Sequence, residues 1–531
     1  MKKIIALLLS VLFALSCVAC GTGSEGPQSS AAGDGGSDQT QTTPPAENVE
    51  YKDTITFAQP ADAPSLDPQV GKQLRACTVL SNMFETLVTT DENYEFVPGL
   101  AESWNWVSDT RVEFTIRQGV KFHNGETMTV EDVAYSLQRA VDSSYVGYYF
   151  TFVDSIEIVG DNVVAVNLKN PYGAAMNTFA ATTAAIVCKS VASADEEGFT
   201  NHPVGTGPYK FVEWKQSESI TLEAFDDYWG GKSPTQYIVM KVVPESTQRE
   251  IMLETGEIDL AYEFGPSDVS KLEENPNLCL YSCPSTKAVV VDINMRKAEG
   301  EPLADARVRQ ALVYAIDKQT IVDRLIYGHG APAANLCTPM VFGYDDSIVA
   351  DKYDPDKARE LLTAAGYADG FELRIWTYTE QIYQEVAQVI QGMLDEVGIT
   401  ATIETMEYST EAARMAGGED YDICLDYFNS TTGDCGHTLY GQFSSTAGDS
   451  SNWNRLSNPE VDALIAIVRE TSDNAARQQA ASDLWKMLDE IVPQFGVYYE
   501  DVLVGASVNV QGFRVTRDGF HVLRNARVVK N

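Results

Sequence analysis

The chain has 531 residues, with 38 Lys+Arg against 76 Asp+Glu, a formal charge of −38 with histidine neutral. At roughly 100–200 residues per domain, this length allows about three compact units or two large lobes. A content of 44% hydrophobic and 21% charged residues fits a globular chain with a sizeable core and excludes global disorder. The acidity, with no basic stripe recognised along the chain, argues against a nucleic-acid partner, because a phosphate backbone would be repelled.

Met1-Lys2-Lys3 is a short basic start, and the run from Ile4 to Leu15 is apolar apart from Ser10. Such a run is too short for a membrane span, which needs about 20 residues, and has the pattern of an export signal. Leu15-Ser16-Cys17-Val18-Ala19-Cys20-Gly21 follows. A cysteine after a small residue at this point resembles a bacterial lipoprotein signal, with Cys20 the better lipidation position and Cys17 the alternative. Residues 1–19 are then the signal. Residues 20–50, rich in Gly, Ser, Gln, Thr and Pro, cannot bury enough apolar surface to offset their ordering entropy. They read as a flexible tether held by acyl chains. The other seven cysteines, Cys77, Cys188, Cys279, Cys283, Cys337, Cys424 and Cys435, are odd in number and show no CxxC spacing. They are expected as buried free thiols, with a Cys279–Cys283 bond open only if those two stand on adjacent strands.

Strands and helices mix through the rest. Val112, Phe114 and Ile116 alternate with polar residues as in a half-buried strand. Ile156, Ile158, Val164, Val166 and Leu168 predict a hairpin across Gly160-Asp161-Asn162. Thr129 and Asp132 form a capping box for a helix reaching about Ala140. Val308, Ala311, Leu312 and Ala315 carry helical spacing, as do Leu484, Met487, Leu488 and Ile491. Gln381 to Val397 predicts a further helix, stopped by Gly398. The mixture implies an α/β architecture with helices covering a sheet.

Catalytic motifs fail on inspection. Gly231-Lys232-Ser233 lacks the upstream glycine of a phosphate loop, since Asp226 stands there. Gly205-Thr206-Gly207 lacks the third glycine of a dinucleotide fingerprint and runs on into a strand. Neither HExxH nor GxSxG occurs, and the five histidines show no metal-ligand spacing. The chain is therefore expected to be no enzyme and to need no cofactor or resident metal.

Several short blocks, in order, carry a resemblance. They include Ser65-Leu66-Asp67-Pro68, Phe84-Glu85-Thr86-Leu87-Val88, Phe114 to Gly125, Gly205-Thr206-Gly207-Pro208-Tyr209, Gly256-Glu257-Ile258-Asp259, Val308-Arg309-Gln310-Ala311-Leu312 and Asn458-Pro459-Glu460-Val461-Asp462. Together they resemble the peptide/nickel-binding family 5 of solute-binding proteins that serve bacterial ABC importers. The resemblance implies a two-lobed periplasmic-binding-protein fold with a large first lobe. Lobe I is expected over 51–287, with a subdomain at about 90–200. Lobe II is expected over 288–500, and 501–531 returns to lobe I. The chain is expected to cross near Thr286–Asn294 and Gly496–Leu503. Gly205 and Gly207 are expected to supply positive φ, His123-Asn124-Gly125 a turn, and Arg309 a buried charge pair.

The same resemblance implies a lipid-anchored monomer outside the cytoplasm that closes on a solute and docks on a membrane permease with its ATPase subunits. In dipeptide- and oligopeptide-binding relatives an aspartate of the second lobe pairs with the peptide ammonium. The matching loop here runs from Asp426 to Cys435, with Ser430 at that aspartate's position and Asp434 four residues later. Thr377-Tyr378-Thr379 stands where those relatives carry a carboxylate-clamping arginine. The loop is more like the glutathione/peptide branch. The expected ligand is a short or glutathione-like peptide held by Asp434 and Thr431, with Ser430, Asn429 and Tyr427 beside them. The alternatives are a metal chelate of the nickel branch, with His437 contributing an imidazole, and an oligosaccharide.

Overall fold

The computed structural model describes residues 49–530 except 72, 265, 449 and 450. The export signal, Cys17, Cys20 and nearly all of the tether therefore lie outside the described residues.

An eleven-stranded mixed sheet runs through both lobes. Its backbone is a pair of long antiparallel strands, Leu278–Ile293 and Gln494–Ser507, which pair from Leu278 opposite Ser507 to Asp292 opposite Gln494. Toward one end this ladder continues through Leu260–Tyr262, Thr54–Gln59, Tyr237–Val242, Ser219–Ala224 and Tyr209–Lys215. Toward the other it continues through Ile423–Asn429, Phe371–Tyr378 and Ile399–Met406, while Gly330–Pro332 pairs with Gln494–Ser507 off the main path. The ladder breaks once between the halves: Pro284 faces Asp501 and Ala288 faces Tyr499, so Ser285-Thr286-Lys287 bulge opposite Glu500 alone. A bulge bends and twists its strand, and the apolar contacts change sides here. Ile55, Phe57, Ile238 and Val504 pack together in the first lobe, and Val289, Val291, Ile375, Leu425 and Val497 in the second. The strand is half-buried up to Pro284 and continuously buried from Ala288 to Ile293, as expected where helices cover both faces of a sheet.

The first lobe carries a separate four-stranded antiparallel sheet in the order Ala101–Ser108, Arg111–Ile116, Val163–Leu168, Val153–Ile158. Arg111–Ile116 alternates half-buried and buried residues, as its sequence predicts. The helix Val130–Asp142 beside it opens with the reciprocal Thr129–Asp132 capping box. The other predicted helices form as Ala306–Ala315, Gln381–Glu396 and Asn474–Ile491.

Three expectations need correction. Among the described residues Arg309 forms no charge pair: its guanidinium donates to the carbonyls of Leu303, Ala304 and Ile491 at 2.7–3.0 Å, stitching two helices together. Gly205 and Gly207 do not adopt positive φ. They are glycine because a Cβ would come within 2.2 Å of Met83 O and 2.6 Å of the Met83 carbonyl carbon, respectively. Their loop is locked to the His123 turn. Gly205 N–H donates to His123 Nδ1 at 3.3 Å and Nε2 donates to Gly207 O at 3.0 Å, while burial pushes the imidazole down to about 4. Cys279 and Cys283 are half-buried, not buried, and stand four apart on one strand, about 13 Å along it at about 3.3 Å per residue. They cannot bond to each other, and all seven described cysteines are free.

Candidate functional site

Where the lobes meet, a cavity of about 540 Å3 is walled by both. The second lobe contributes the loop Ser430-Thr431-Thr432-Gly433, which leaves the strand Ile423–Asn429 and leads into the helix Cys435–Phe443. The first lobe contributes Glu85 and Thr86, Tyr228 and Trp229, and a long stretch of the C-terminal segment between Gly512 and Asn525.

The loop is held at its root. Ser430 N–H donates to Thr286 O at 3.0 Å, and Asn429 Oδ1 accepts from Thr286 Oγ1 at 2.6 Å, which ties it to the bulge. Ser430 Oγ donates to Asp434 O at 3.1 Å. Gly433 has φ +69°, and a Cβ there would stand 2.5 Å from Arg517 Nη2, so the first lobe presses directly on this backbone. Further contacts close the lobes: Asn177 Nδ2 donates to Thr432 O at 2.9 Å, Arg517 Nη1 to Met340 O at 2.6 Å, and Gly173 N–H to Arg469 O at 3.0 Å. Tyr149 OH lies 3.5 Å from Thr431 Oγ1.

Of the residues expected at the site, Ser430 and Thr431 line this cavity, Asp434 lines a neighbouring interlobe cavity of about 600 Å3, and Asn429 and Tyr427 line neither. Asp434 is 1% exposed, and both of its carboxylate oxygens are committed. Oδ1 caps the helix Cys435–Phe443 by accepting from Gly436 N–H at 2.8 Å, and Oδ2 meets Arg477 Nη2 at 2.6 Å. This carboxylate organises the loop, with one hydrogen bond to each of its oxygens. Tyr427 stacks on Tyr383 at 5.8 Å under the Lys287 ammonium, beside the bulge. His437 packs its ring on Tyr149 and Tyr148, and burial followed by the Arg469 charge pushes it down to about 4. Among the described residues, no group of three or more His, Cys, Asp or Glu side chains is arranged to hold a metal ion.

The first-lobe wall was not foreseen from sequence. Glu85 accepts hydrogen bonds from Tyr228 OH at 2.7 Å, Trp229 Nε1 at 2.9 Å and Thr206 Oγ1 at 2.9 Å. Burial raises its carboxyl despite those donors and the Arg524 charge. Arg514, Arg517 and Arg524 also reach this wall. A signal for them existed: residues 511–531 hold Arg514, Arg517, Arg524, Arg527 and Lys530 against Asp518 alone, in a chain with two acids per base.

Comparison with known proteins fits this architecture. The profile of the "Bacterial extracellular solute-binding proteins, family 5 Middle" matches residues 95–450. The glutathione-binding protein GsiB of Pectobacterium atrosepticum is 30% identical over 469 residues, covering 86% of this chain and 90% of its own. Among solved structures, the Helicobacter pylori periplasmic binding protein DppA, in complex with the peptide STSA, superposes with a TM-score of 0.77 at 26% identity, covering 90% of this chain and 99% of its own. HbpA2 of Haemophilus parasuis superposes with a TM-score of 0.80 at 25% identity, covering 90% and 100%. Among the described residues no helix is long and apolar enough to cross a membrane. The two-lobed fold, the interlobe cavity and these matches place the chain in family 5 of the bacterial extracellular solute-binding proteins.

Proposed function

We propose that this protein captures a short peptide, glutathione or a peptide of similar size, between its lobes and delivers it to an ABC importer. The observation that carries the reading is the cavity itself. Its volume of about 540 Å3 falls in the range of about 300–1,000 Å3 usual for small-molecule sites, and both lobes wall it, so a guest stabilises closure by touching both. Relatives support the ligand class: GsiB is a glutathione-binding protein, and a Pseudoalteromonas relative of known structure, 25% identical, holds Met-Leu.

In this reading Ser430, Thr431 and Thr432 offer backbone and hydroxyl groups to the peptide. Asp434 acts as a positioning residue that fixes their loop through Arg477. The bulge Ser285-Thr286-Lys287 is the hinge, because it joins the two halves of the ladder and is bonded to Arg517 O on one side and Ser430 N–H on the other. Ligand binding then shifts the population toward the closed form by its differential affinity for that form. Cys20 carries the lipid anchor, the folded part works outside the membrane as a monomer, and it performs no catalysis.

Titration calorimetry with glutathione and a tripeptide panel, paired with small-angle scattering, tests the reading. Binding should be accompanied by a smaller radius of gyration. Absence of heat and of compaction with every peptide would refute it.

A further inference from the structure

We propose that the guanidiniums of Arg514, Arg517 and Arg524 form an anion-receiving arc on the first-lobe wall of the cavity, and that this arc selects peptides carrying two carboxylates. The inference rests on the peptide reading above and specifies the charge of the guest.

All three arginines belong to the C-terminal segment that lines the cavity. In a chain with 76 acidic and 38 basic residues, a guanidinium has acids to spare for pairing. Yet among the described residues none of the three has a carboxylate oxygen within 4.0 Å. Each is instead anchored by one carbonyl and one aromatic ring. Arg514 Nη2 donates to Asp91 O at 3.4 Å, and its guanidinium lies 5.8 Å from the Tyr94 ring. Arg517 Nη1 donates to Met340 O at 2.6 Å, with the guanidinium 3.9 Å from the same ring. Arg524 Nη2 donates to Gly230 O, with the guanidinium 5.1 Å from the Tyr228 ring. A guanidinium has five N–H donors, so in each case one side-chain hydrogen bond fixes the position and leaves the rest of the fork unused.

The acids of the same wall do not offset this. Glu85 spends its oxygens on Tyr228, Trp229 and Thr206. Asp91 Oδ1 accepts from the N–H groups of Asn93 and Glu95 within its own turn. Asp518 Oδ1 accepts from Phe520 N–H. Glu92 stands exposed to solvent. The acids of the wall are thus turned inward or away, while the basic donors are not. Planar, weakly hydrated forks held in place by rings suit bidentate carboxylate recognition. They also supply a local positive field in a chain whose net charge would otherwise repel an anion.

The test uses the whole folded chain and four probes in calorimetry: glutathione, its glycine ethyl ester, Gly-Glu-Gly and Gly-Gly-Gly. Glutathione should bind about tenfold tighter than its ester, and Gly-Glu-Gly about tenfold tighter than Gly-Gly-Gly, with both gaps shrinking in high salt. Arg524→Gln and Arg514→Gln should each narrow the gaps. Arg514 is exposed, so its variant keeps the fold even if Arg524→Gln does not, and circular dichroism checks both. Equal affinities for all four probes, or gaps that survive in a folded variant, overturn the arc and leave the peptide reading standing. No binding of any probe overturns both.

Discussion

Two groups of buried carboxylates, one in each lobe, are accommodated in opposite ways. In the first, Asp67 meets Arg139 at 2.5 and 2.9 Å, and Asp259 meets Lys52 at 2.7 Å and Thr56 N–H at 2.9 Å. In the second, Asp292, Glu411 and Asp426 are at most 1% exposed and lie within one another's fields. One oxygen of each has no hydrogen-bond partner among the described residues. Their remaining contacts are to neutral donors: Gln494 to Asp292, Cys424 Sγ to Glu411 and Tyr378 to Asp426. Burial pushes Asp426 up to about 7. Burial and the Asp426 charge push Glu411 up to about 8 and Asp292 well above the carboxylate range. Asp67 and Asp259 are offset by opposite charge, whereas burial favours the protonated form of the Asp292–Glu411–Asp426 cluster.

The largest effect should come from breaking the Asp434–Arg477 ion pair of the second lobe, in which both side chains are at most 2% exposed. Asp434→Ala strands Arg477 in the interior and should cost about 3–5 kcal/mol, read as a lowered urea midpoint. A variant that keeps its midpoint and loses only peptide binding would return Asp434 to direct ligand contact. Asp67→Asn should do the same to the first lobe on a smaller scale, about 2–3 kcal/mol, because Arg139 retains some solvent at 15% exposure.

Asp426→Asn should act with the opposite sign. A carboxyl whose folded pKa is raised holds its proton where the unfolded chain has released it, so stability falls as pH rises from the ordinary value toward the folded one. For Asp426 that window runs from 3.8 to about 7. The Asp426 charge in turn raises Glu411 on the helix Tyr408–Ala416 and Asp292 on the strand Leu278–Ile293, which extends the fall upward. The urea midpoint of Asp426→Asn relative to wild type should therefore climb between pH 4 and pH 8, by an amount on the order of 2–4 kcal/mol in stability. Parallel pH profiles would show that the cluster is not held protonated.

None of this contrast could be read from the sequence, whereas the scaffold could. Alternation in Arg111–Ile116, the Thr129 box and the spacing in Ala306–Ala315 are local patterns, and local patterns survive folding. The loop Ser430–Gly433 was legible through its position in the family pattern. Asp434 is ambiguous in the sequence, because a capping carboxylate and a ligand carboxylate look alike until Arg477, 43 residues away, is seen against it. The Arg514–Arg524 wall was missed for a related reason. Net charge averages over the whole chain, and a short basic segment only becomes a surface when the fold brings it back to the cleft. Gly205 and Gly207 suggest a dihedral role in the sequence, whereas the constraint is the Met83 backbone pressed against them.

The smallest expected effect sharpens the comparison where the lobes touch. Asn177→Ala removes the hydrogen bond from the first lobe to Thr432 O, a carbonyl of the loop that walls the cavity. A neutral hydrogen bond of this kind contributes about 1 kcal/mol. It exists only when the lobes are together, so its loss should leave the urea midpoint of each lobe nearly unchanged and fall on the closure equilibrium. Peptide affinity should drop about fivefold, and scattering from the ligand-free variant should show a larger radius of gyration than wild type. An Asn177→Ala protein that melts earlier but closes and binds normally would make this contact part of the first lobe's own packing and no element of the latch.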